Sequence, residues 1–301
     1  MAITEAQFIE LEGNVREVWD AYHKSKKNLI TPIHNVIKDA TAQITDLTIG
    51  APGRMSDWEG SVSYDTFVKG YTKQVHPGKK STGIQVDRDM WEDKEYRRIK
   101  TYVNNIAYGV DKSLRYDSAI ILNNAFTTTY VGPDSAGLCS ASHHLVPTDA
   151  VQSNTGTLEL NYENIEATQL LMEAWLDDRG DEMLVEGDFV IAGPYWRKTC
   201  EKLFGSAKEA FVGDNTKNVY ENMKFFIHPL IKGKKWFLAN ESLMKGGDGL
   251  NFWMRRDPRT LERDGDAAKG DFNTEKLSWK AVGRWAIYWV NWFFIFGQNP
   301  S

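Results

Sequence analysis

Apolar residues near the start of the chain recur at steps of three and four positions, the spacing of one helix face. Thr4 and Gln7 precede most of them as a capping box, and a basic cluster at 24–27 follows, as suits a helix C-terminus. Helix-breaking residues follow at Pro32 and within residues 50–53, so the segment up to residue 57 is predicted to be an arm. The predicted helix has this apolar face: Phe8, Leu11, Val15, Val18, Trp19 and Tyr22.

Two stretches of alternating apolar and polar residues follow, at 62–68 and 84–86, a pattern typical of strands. Pro77-Gly78 lies between them and indicates a turn, so we predict a β-hairpin over residues 58–92. The hairpin has few large apolar residues, and an isolated two-stranded ribbon is at best marginally stable. We therefore expect it to rest on another surface, with a basic patch formed by Lys69, Lys73, Lys79 and Lys80.

The clearest helical periodicity runs from about residue 93 to 126. A helix of that length spans on the order of 50 Å and is far longer than average. Gly109 near its middle indicates a bend or a close packing point. The predicted packing face contains Ile99, Tyr102, Ile106, Val110, Leu114, Ile121 and Ala125.

Helical and strand patterns alternate in the rest of the chain, which places it in the α+β class. Asn161 is predicted to begin a helix, residues 183–192 to form a strand, and Gly193-Pro194 to open another helix. Further strands are predicted at Phe225–Pro229 and Trp236–Ala239. Trp285–Phe296 is apolar at odd and even positions alike, which predicts one strand covered on both faces.

Composition narrows the classes of protein. The 301 residues are 42% hydrophobic and 26% charged with a net charge of −5, so neither disorder nor a basic field over the whole molecule is expected. Two cysteines give no disulfide framework, and the N-terminus has no export-signal pattern. No apolar run reaches membrane-spanning length. The 11 Trp, 12 Tyr and 14 Phe residues favour a protein that buries surface against partners.

Catalytic motifs are weak. Cys139 lies close to His143 and His144, and a remote His228 completes the best candidate set for zinc or for a nucleophile with a base. Adjacent histidines point apart, so we predict no metal, no cofactor and no catalytic residues. Two alternatives stay open: an α+β hydrolase, with or without a metal, around Cys139, His143 and His144, and a carbohydrate-binding module that stacks sugars on tryptophans.

Three sets of short stretches carry a resemblance to a known family. They are Leu138–His143, with an Asn-containing turn at Asn154; Val190–Pro194 with Leu203–Ser206; and His228–Leu230 with Trp236–Leu238. These stretches resemble the major capsid proteins of tailed bacteriophages, and in particular the Mu-like head subunits. Cys139 stands where the similar stretch in that group has Phe, a change of little consequence because Cys packs as a small hydrophobe.

The resemblance implies a Hong Kong 97-type fold: residues 1–57 as the N-terminal arm, 58–92 as the extended hairpin loop, 93–160 and 251–301 as the peripheral domain with its spine helix, and 161–250 as the axial domain. It implies a structural protein, not an enzyme, that self-assembles into hexamers and pentamers of an icosahedral head enclosing double-stranded DNA. The expected location is the virion, after assembly in the host cytoplasm. Other expected partners are a separate scaffold, a portal and decoration proteins, with non-specific DNA contact and no membrane.

Two sets of site residues follow. The hairpin is expected to contact a neighbouring subunit through Lys69, Lys73, Pro77, Gly78, Lys79 and Lys80. The spine helix is expected to pack through Ile99, Ile106, Val110, Leu114 and Ile121.

Overall fold

A computed structural model describes residues 5–55, 57–58, 60–62, 64–205, 218–221, 223–263 and 276–301. Helices and strands are both abundant, so the α+β class is confirmed. Within these residues no helix is both long enough and apolar enough to cross a membrane.

The bounds of the elements are as follows. The helices are α1 (Glu5–Lys24), α2 (Arg88–Glu92), α3 (Tyr96–Ser118), α4 (Ile120–Asn123), α5 (Tyr162–Glu173), α6 (Arg197–Phe204) and α7 (Glu241–Met244). The strands are β1 (Asn35–Ile37), β2 (Ile44–Ile49), β3 (Lys69–Val75), β4 (Gly78–Asp87), β5 (His143–His144), β6 (Val151–Gln152), β7 (Thr155–Gly156), β8 (Phe189–Ala192), β9 (Lys224–Ile227), β10 (Trp236–Ala239), β11 (Leu250–Arg256), β12 (Leu261–Arg263), β13 (Lys276–Trp289) and β14 (Ile295–Gln298).

The first five-stranded sheet has the order β1-β11-β13-β12, with β4 also pairing with β13. Helices α1 and α3 pack against it around one apolar core. Val15 and Trp19 of α1 are buried in that core, and Nε1 of Trp19 donates a hydrogen bond to the carbonyl of Arg259 at 2.6 Å. The predicted amphipathic helix is thus confirmed at Val15 and Trp19, where it packs within its own subunit and is not part of a free arm. Phe8 and Leu11 of the predicted face, and the capping box at Thr4 and Gln7, lie outside the side chains that the structure describes.

The long helix is shorter than its periodicity predicted. α3 ends at Ser118, and Ala119 separates it from the short α4. Ile121 of α4 therefore packs in a second apolar core, apart from the residues of α3. Gly109 is exposed and a Cβ atom there would meet nothing within 4 Å, so it is not a close packing point.

The second five-stranded sheet has the order β7-β14-β10-β8-β9. The side chain of Asn161 accepts a hydrogen bond from the backbone N–H of Asn164, which confirms the predicted start of α5. Pro194 opens a 3-10 turn that continues into α6, also as predicted. These helices and the sheet enclose a third core that contains Trp175, Trp196 and Trp236.

The predicted pairing of the hairpin is wrong. The strands on the two sides of Pro77-Gly78 do not pair with each other: β3 pairs with β2, and β4 pairs with β13 along its whole length. Ile84 and Val86 are buried in the first core for that reason. The two-stranded ribbon is therefore formed by residues 44–75, and Pro77-Gly78 is the corner where the chain leaves it for the large sheet.

The apolar C-terminal run is also divided, contrary to prediction. Trp285–Trp289 complete β13 in the first sheet, whereas Ile295–Gln298 form β14 in the second. The run is apolar throughout because both strands, and much of the link between them, are buried. Periodicity cannot distinguish one long buried strand from two shorter ones.

Candidate functional site

The ribbon of β2 and β3 carries a long connection, residues 50–68, without a helix or strand among its described residues. Its apolar side chains are unusually exposed: Met55 is 100% exposed, Tyr64 90% and Trp58 73%. We call residues 47–68 the tip segment. Its large exposed apolar side chains are Leu47, Ile49, Met55, Trp58, Val62, Tyr64, Phe67 and Val68. So many exposed large apolar side chains within one segment indicate a surface that a partner covers.

A turn at residues 177–181 holds the tip segment in place. The guanidinium of Arg179 donates to both carboxylate oxygens of Asp65, at 2.8 and 2.9 Å, and to the carbonyl of Ala51 at 2.9 Å. Asp178 accepts from the backbone N–H of Ala51 at 2.7 Å. Hydrogen bonds from the backbone N–H of Gly53 and from Arg179 lower the pKa of Asp65 below its ordinary value.

The four lysines predicted to contact a neighbour differ in their surroundings. Nζ of Lys73 donates to the carbonyl of Val131 at 2.6 Å. Nζ of Lys80 lies 2.5 Å from Oδ2 of Asp117 and 4.9 Å from the ring centroid of Trp285. Lys69 and Lys79 are exposed, and within the described residues neither forms an ion pair. Lys73 and Lys80 are therefore bound by groups of their own subunit, whereas Lys69 and Lys79 are the two that stay candidates for a contact with a neighbour.

The remaining predicted contact residues and the packing face of α3 lie as follows. Pro77 is buried at the corner between ribbon and sheet, and Gly78 is exposed beside it. Ile99, Val110 and Leu114 are buried in the first core, whereas Ile106 packs at its edge and is half-buried.

Cys139, His143 and His144 do not form a catalytic set. Burial raises the pKa of the Cys139 thiol, which disfavours the thiolate that a nucleophile or a metal ligand requires. Nδ1 of His144 faces the exposed Asp149 at 2.7 Å, whereas His143 is buried among other partners. Among the residues described, no three His, Cys, Asp or Glu side chains are grouped so as to hold a metal ion.

His143 belongs to a buried polar network. Its Nδ1 lies 2.5 Å from Oδ2 of Asp134, its Nε2 lies 3.0 Å from Oδ1 of Asn154, and its ring stacks on Trp292 at 4.3 Å between centroids. The side-chain amide of Asn154 donates to the carbonyls of Leu138 and of Ile295 in β14, at 2.8 and 3.1 Å. The network joins the segment after α4 to the second sheet, so the role of His143 is structural.

His228 lies where α3 ends and the second sheet begins. Its Nδ1 accepts from the backbone N–H of Leu230, and its Nε2 lies 3.0 Å from Oγ of Ser118. The carbonyl of Ser118 accepts from Nε2 of His34 at 2.8 Å. Burial, with Arg115 nearby, lowers the pKa of His228 to about 4, and burial lowers that of His34 to about 4.

The tryptophans are core residues with one exception. Nine of the ten whose side chains the structure describes are buried, and only Trp58 in the tip segment is exposed. No pair of exposed tryptophans among them offers a stacking surface for a sugar.

Sequence reasoning missed the tip segment because its alternating residues 62–68 were interpreted as a strand. The signal that was available is a set of large apolar residues that lie among Gly and Pro and follow neither a helical nor a strand period.

No protein-family model and no curated protein matches this sequence. Solved structures do match. A chain of the bacteriophage JBD30 procapsid superimposes with a TM-score of 0.55 at 12% identity, over 99% of this chain and 77% of that one. A virus-like particle from Pyrococcus furiosus gives 0.51 at 10% identity, over 95% and 98%. The capsid of Myoviridae phage XM1 gives 0.50 at 8% identity, over 92% and 94%.

These similarities cover nearly the whole chain. They are matches of fold, since so little sequence is shared, and a specific kinship with Mu-like head subunits stays a prediction. The chain has the Hong Kong 97-type fold of phage capsid proteins.

Proposed function

We propose that this chain is a major capsid protein that self-assembles into the hexamers and pentamers of an icosahedral phage head enclosing double-stranded DNA. The observation that carries the proposal is the tip segment, which exposes large apolar side chains on a fold shared with capsid chains. A second copy of the chain would cover those side chains. The role is structural and without catalysis, its place is the virion shell, and assembly takes place in the host cytoplasm.

The other proposed partners follow from the same role. A portal, a separate scaffold and decoration proteins on the outer surface are the other partners of the proposed shell. The proposed division of the chain keeps residues 93–160 and 251–301 as the peripheral domain and 161–250 as the axial domain. α3, β12 and β13 lie in the former, and β8, β9, β10 and α6 lie in the latter, which supports the division for these elements. β7 and β14 fall in the proposed peripheral ranges but are strands of the second sheet, and β1 and β4 of the first sheet fall in the proposed arm and loop.

The test compares assembly of the wild type with that of a tip variant. Trp58→Ser, Tyr64→Ser and Phe67→Ser together remove exposed apolar surface without touching a core residue. We expect wild-type protein to sediment as particles that electron microscopy resolves as shells, and the variant to stay a folded subunit. Leu170→Ser with Leu171→Ser is the matched control, because these side chains are exposed on α5. A wild type that stays monomeric at all salt and protein concentrations contradicts the proposal.

A further inference from the structure

One face of α3 is buried in the first core, and its other face is open to solvent. None of the exposed side chains on that open face is acidic. They are basic, amide, hydroxyl or aromatic, and Tyr108 is 56% exposed. We call these residues the basic face: Arg97, Arg98, Lys100, Thr101, Asn104, Asn105, Tyr108, Lys112 and Tyr116.

The two acidic residues of α3 are paired with groups of their own subunit and are not exposed. Asp111 is buried, and its Oδ2 lies 2.6 Å from Nε of Arg115. Asp117 is bound by Nζ of Lys80 and by Nε1 of Trp285, at 2.5 and 2.7 Å. The basic face therefore has a positive surface although the whole chain has a net charge of −5.

The charges on the basic face are spaced along the helix. Arg97 and Lys112 are fifteen residues apart, which is about 22 Å at the rise of an α-helix. Lys100 lies between them, and no carboxylate of the described residues forms an ion pair with any of these three. Arg98 differs, since its guanidinium is bound by Glu95 at 3.0 Å.

The end of α1 extends the basic face at one side. Tyr22 interacts electrostatically with Tyr108, Asp111 and Arg115 of α3, so the last turn of α1 lies beside the second half of α3. Nζ of Lys26 lies 4.7 Å from the ring centroid of Tyr22. Lys24, Lys26 and Lys27 are exposed there, whereas the exposed acidic residues described on α1, Glu17 and Asp20, lie earlier on the helix.

We propose that the basic face is a binding surface for the phosphate backbone of duplex DNA. Arg, Lys, Asn, Thr and Tyr side chains are those that contact phosphate and sugar, and such contacts carry no sequence information. Duplex DNA has one charge per about 1.7 Å of axis, so a duplex lying along α3 offers phosphates to each of these cations, which are spread over about 22 Å of the helix. The inference rests on the proposed function, which makes packaged DNA the polyanion that the subunit meets.

The test measures binding of a fluorescent 30-base-pair duplex to the unassembled subunit by anisotropy, between 50 and 200 mM salt. We expect weak binding, with affinity falling as salt rises with a log–log slope of about −3, since each phosphate contact contributes about −0.9. Arg97→Glu, Lys100→Glu and Lys112→Glu together should abolish it. Arg197→Glu, Lys198→Glu and Lys232→Glu are the matched control, with the same change of charge at exposed positions elsewhere.

Replacing Arg97, Lys100 and Lys112 with Gln should make the slope shallower by about 2.7, the contribution of three phosphate contacts. This variant keeps the test valid if charge reversal disturbs folding. The proposal is overturned if the control variant loses as much DNA affinity as the basic-face variant, or if the Gln variant binds DNA as the wild type does. Sedimentation of the same samples monitors assembly separately. A basic-face variant that assembles but does not bind DNA supports both proposals, whereas DNA binding by a wild-type subunit that never assembles contradicts the capsid role alone.

Discussion

Nδ1 of His143 lies 2.5 Å from Oδ2 of Asp134, and both side chains are buried, with exposures of 0% and 7%. Because no water competes for either group, each depends on the other for its hydrogen bonding. Removal of one partner leaves a buried polar group without compensation, which costs more than the loss of an exposed pair.

We therefore predict that His143→Ala lowers the free energy of unfolding by about 3–5 kcal/mol. Adding Asp134→Ala should cost less than the sum of the two single changes, since the second removes the group that the first left unpaired. Urea denaturation of the four proteins measures the coupling. His144→Ala is the control, because its partner Asp149 is exposed and such pairs contribute only about 0–1 kcal/mol. Strict additivity would mean that the two residues act independently.

The second prediction concerns pH. His34 and His228 have folded-state pKa values of about 4, below the ordinary value of about 6.5. Between these values the unfolded chain binds protons that the folded chain does not, so stability present above pH 6.5 is lost as the pH falls toward 4. The expected loss is on the order of a few kcal/mol. The positive charge of Arg115 increases this loss, because it disfavours protonation of His228. Nδ1 of His228 accepts a hydrogen bond from the backbone N–H of Leu230, so a proton added to Nδ1 would have no acceptor.

Urea denaturation from pH 7 to pH 4.5 measures this loss. His228→Gln should reduce the slope of stability against pH by about one proton. His76→Gln, at an exposed histidine outside the junction, is the control. Identical slopes in all three proteins would show that the buried histidines do not govern acid stability.

The third prediction concerns the turn that holds the tip segment. Arg179→Ala removes the hydrogen bonds to Asp65 and Ala51, so the tip segment should open more often in the unassembled subunit. Chymotryptic cleavage after Trp58, Tyr64 and Phe67 should become severalfold faster, with no change in global stability beyond about 1 kcal/mol. Arg197→Ala, at an exposed arginine on α6, should cleave at the wild-type rate. Wild-type cleavage in Arg179→Ala would show that other contacts hold the segment.

The fourth prediction separates two adjacent lysines. Lys79 is exposed, whereas Lys80 contacts Asp117 and Trp285 of its own chain. Lys79→Glu should leave stability within about 0.5 kcal/mol and weaken assembly at low salt, as expected of a contact to a neighbour. Lys80→Glu should also destabilise the isolated subunit, by about 1 kcal/mol, because it places two carboxylates together. Sedimentation and denaturation of both variants distinguish the roles; unchanged assembly of Lys79→Glu rules out an ionic contact there.

The fifth prediction follows the burial gradient of α3. Leu114→Ala should cost about 2–5 kcal/mol, because the side chain is buried in the first core. Ile106→Ala should cost less, since Ile106 packs at the edge of that core. Tyr108→Ala, on the basic face, should stay within about 0.5 kcal/mol. Thermal denaturation gives the order directly, and a larger loss at Ile106 than at Leu114 would mean that the face is rotated.

The elements with local signals were predictable, and the contacts between distant segments were not. Asn161 begins its helix and Pro194 opens its turn because capping and φ restriction act within a few residues. The pairing of β4 with β13 joins Val86 to Leu277, and no local pattern specifies a partner so far along the chain. A Pro-Gly turn favours a hairpin, but β2 lay within the segment interpreted as an arm, so its pairing with β3 was missed.

The candidate site was predictable only in part, because it too depends on contacts between distant segments. Lysines near Pro77-Gly78 are visible in the sequence, but which of them is neutralised depends on Asp117, which tertiary structure brings to Lys80. The exposure of Trp58 was equally hidden, because tryptophan is most often buried and only the fold shows where no core is available.

The division of the C-terminal run between two sheets has a mechanical consequence. β13 lies in the first sheet and β14 in the second, and the five residues 290–294 connect these two strands. The backbone N–H groups of Val290 and Asn291 both donate to the carbonyl of Asp248, so this short link is anchored where it leaves β13. Tension applied to one sheet is thus transmitted to the other through a covalent segment with little slack, and the two halves of the subunit would bear load together.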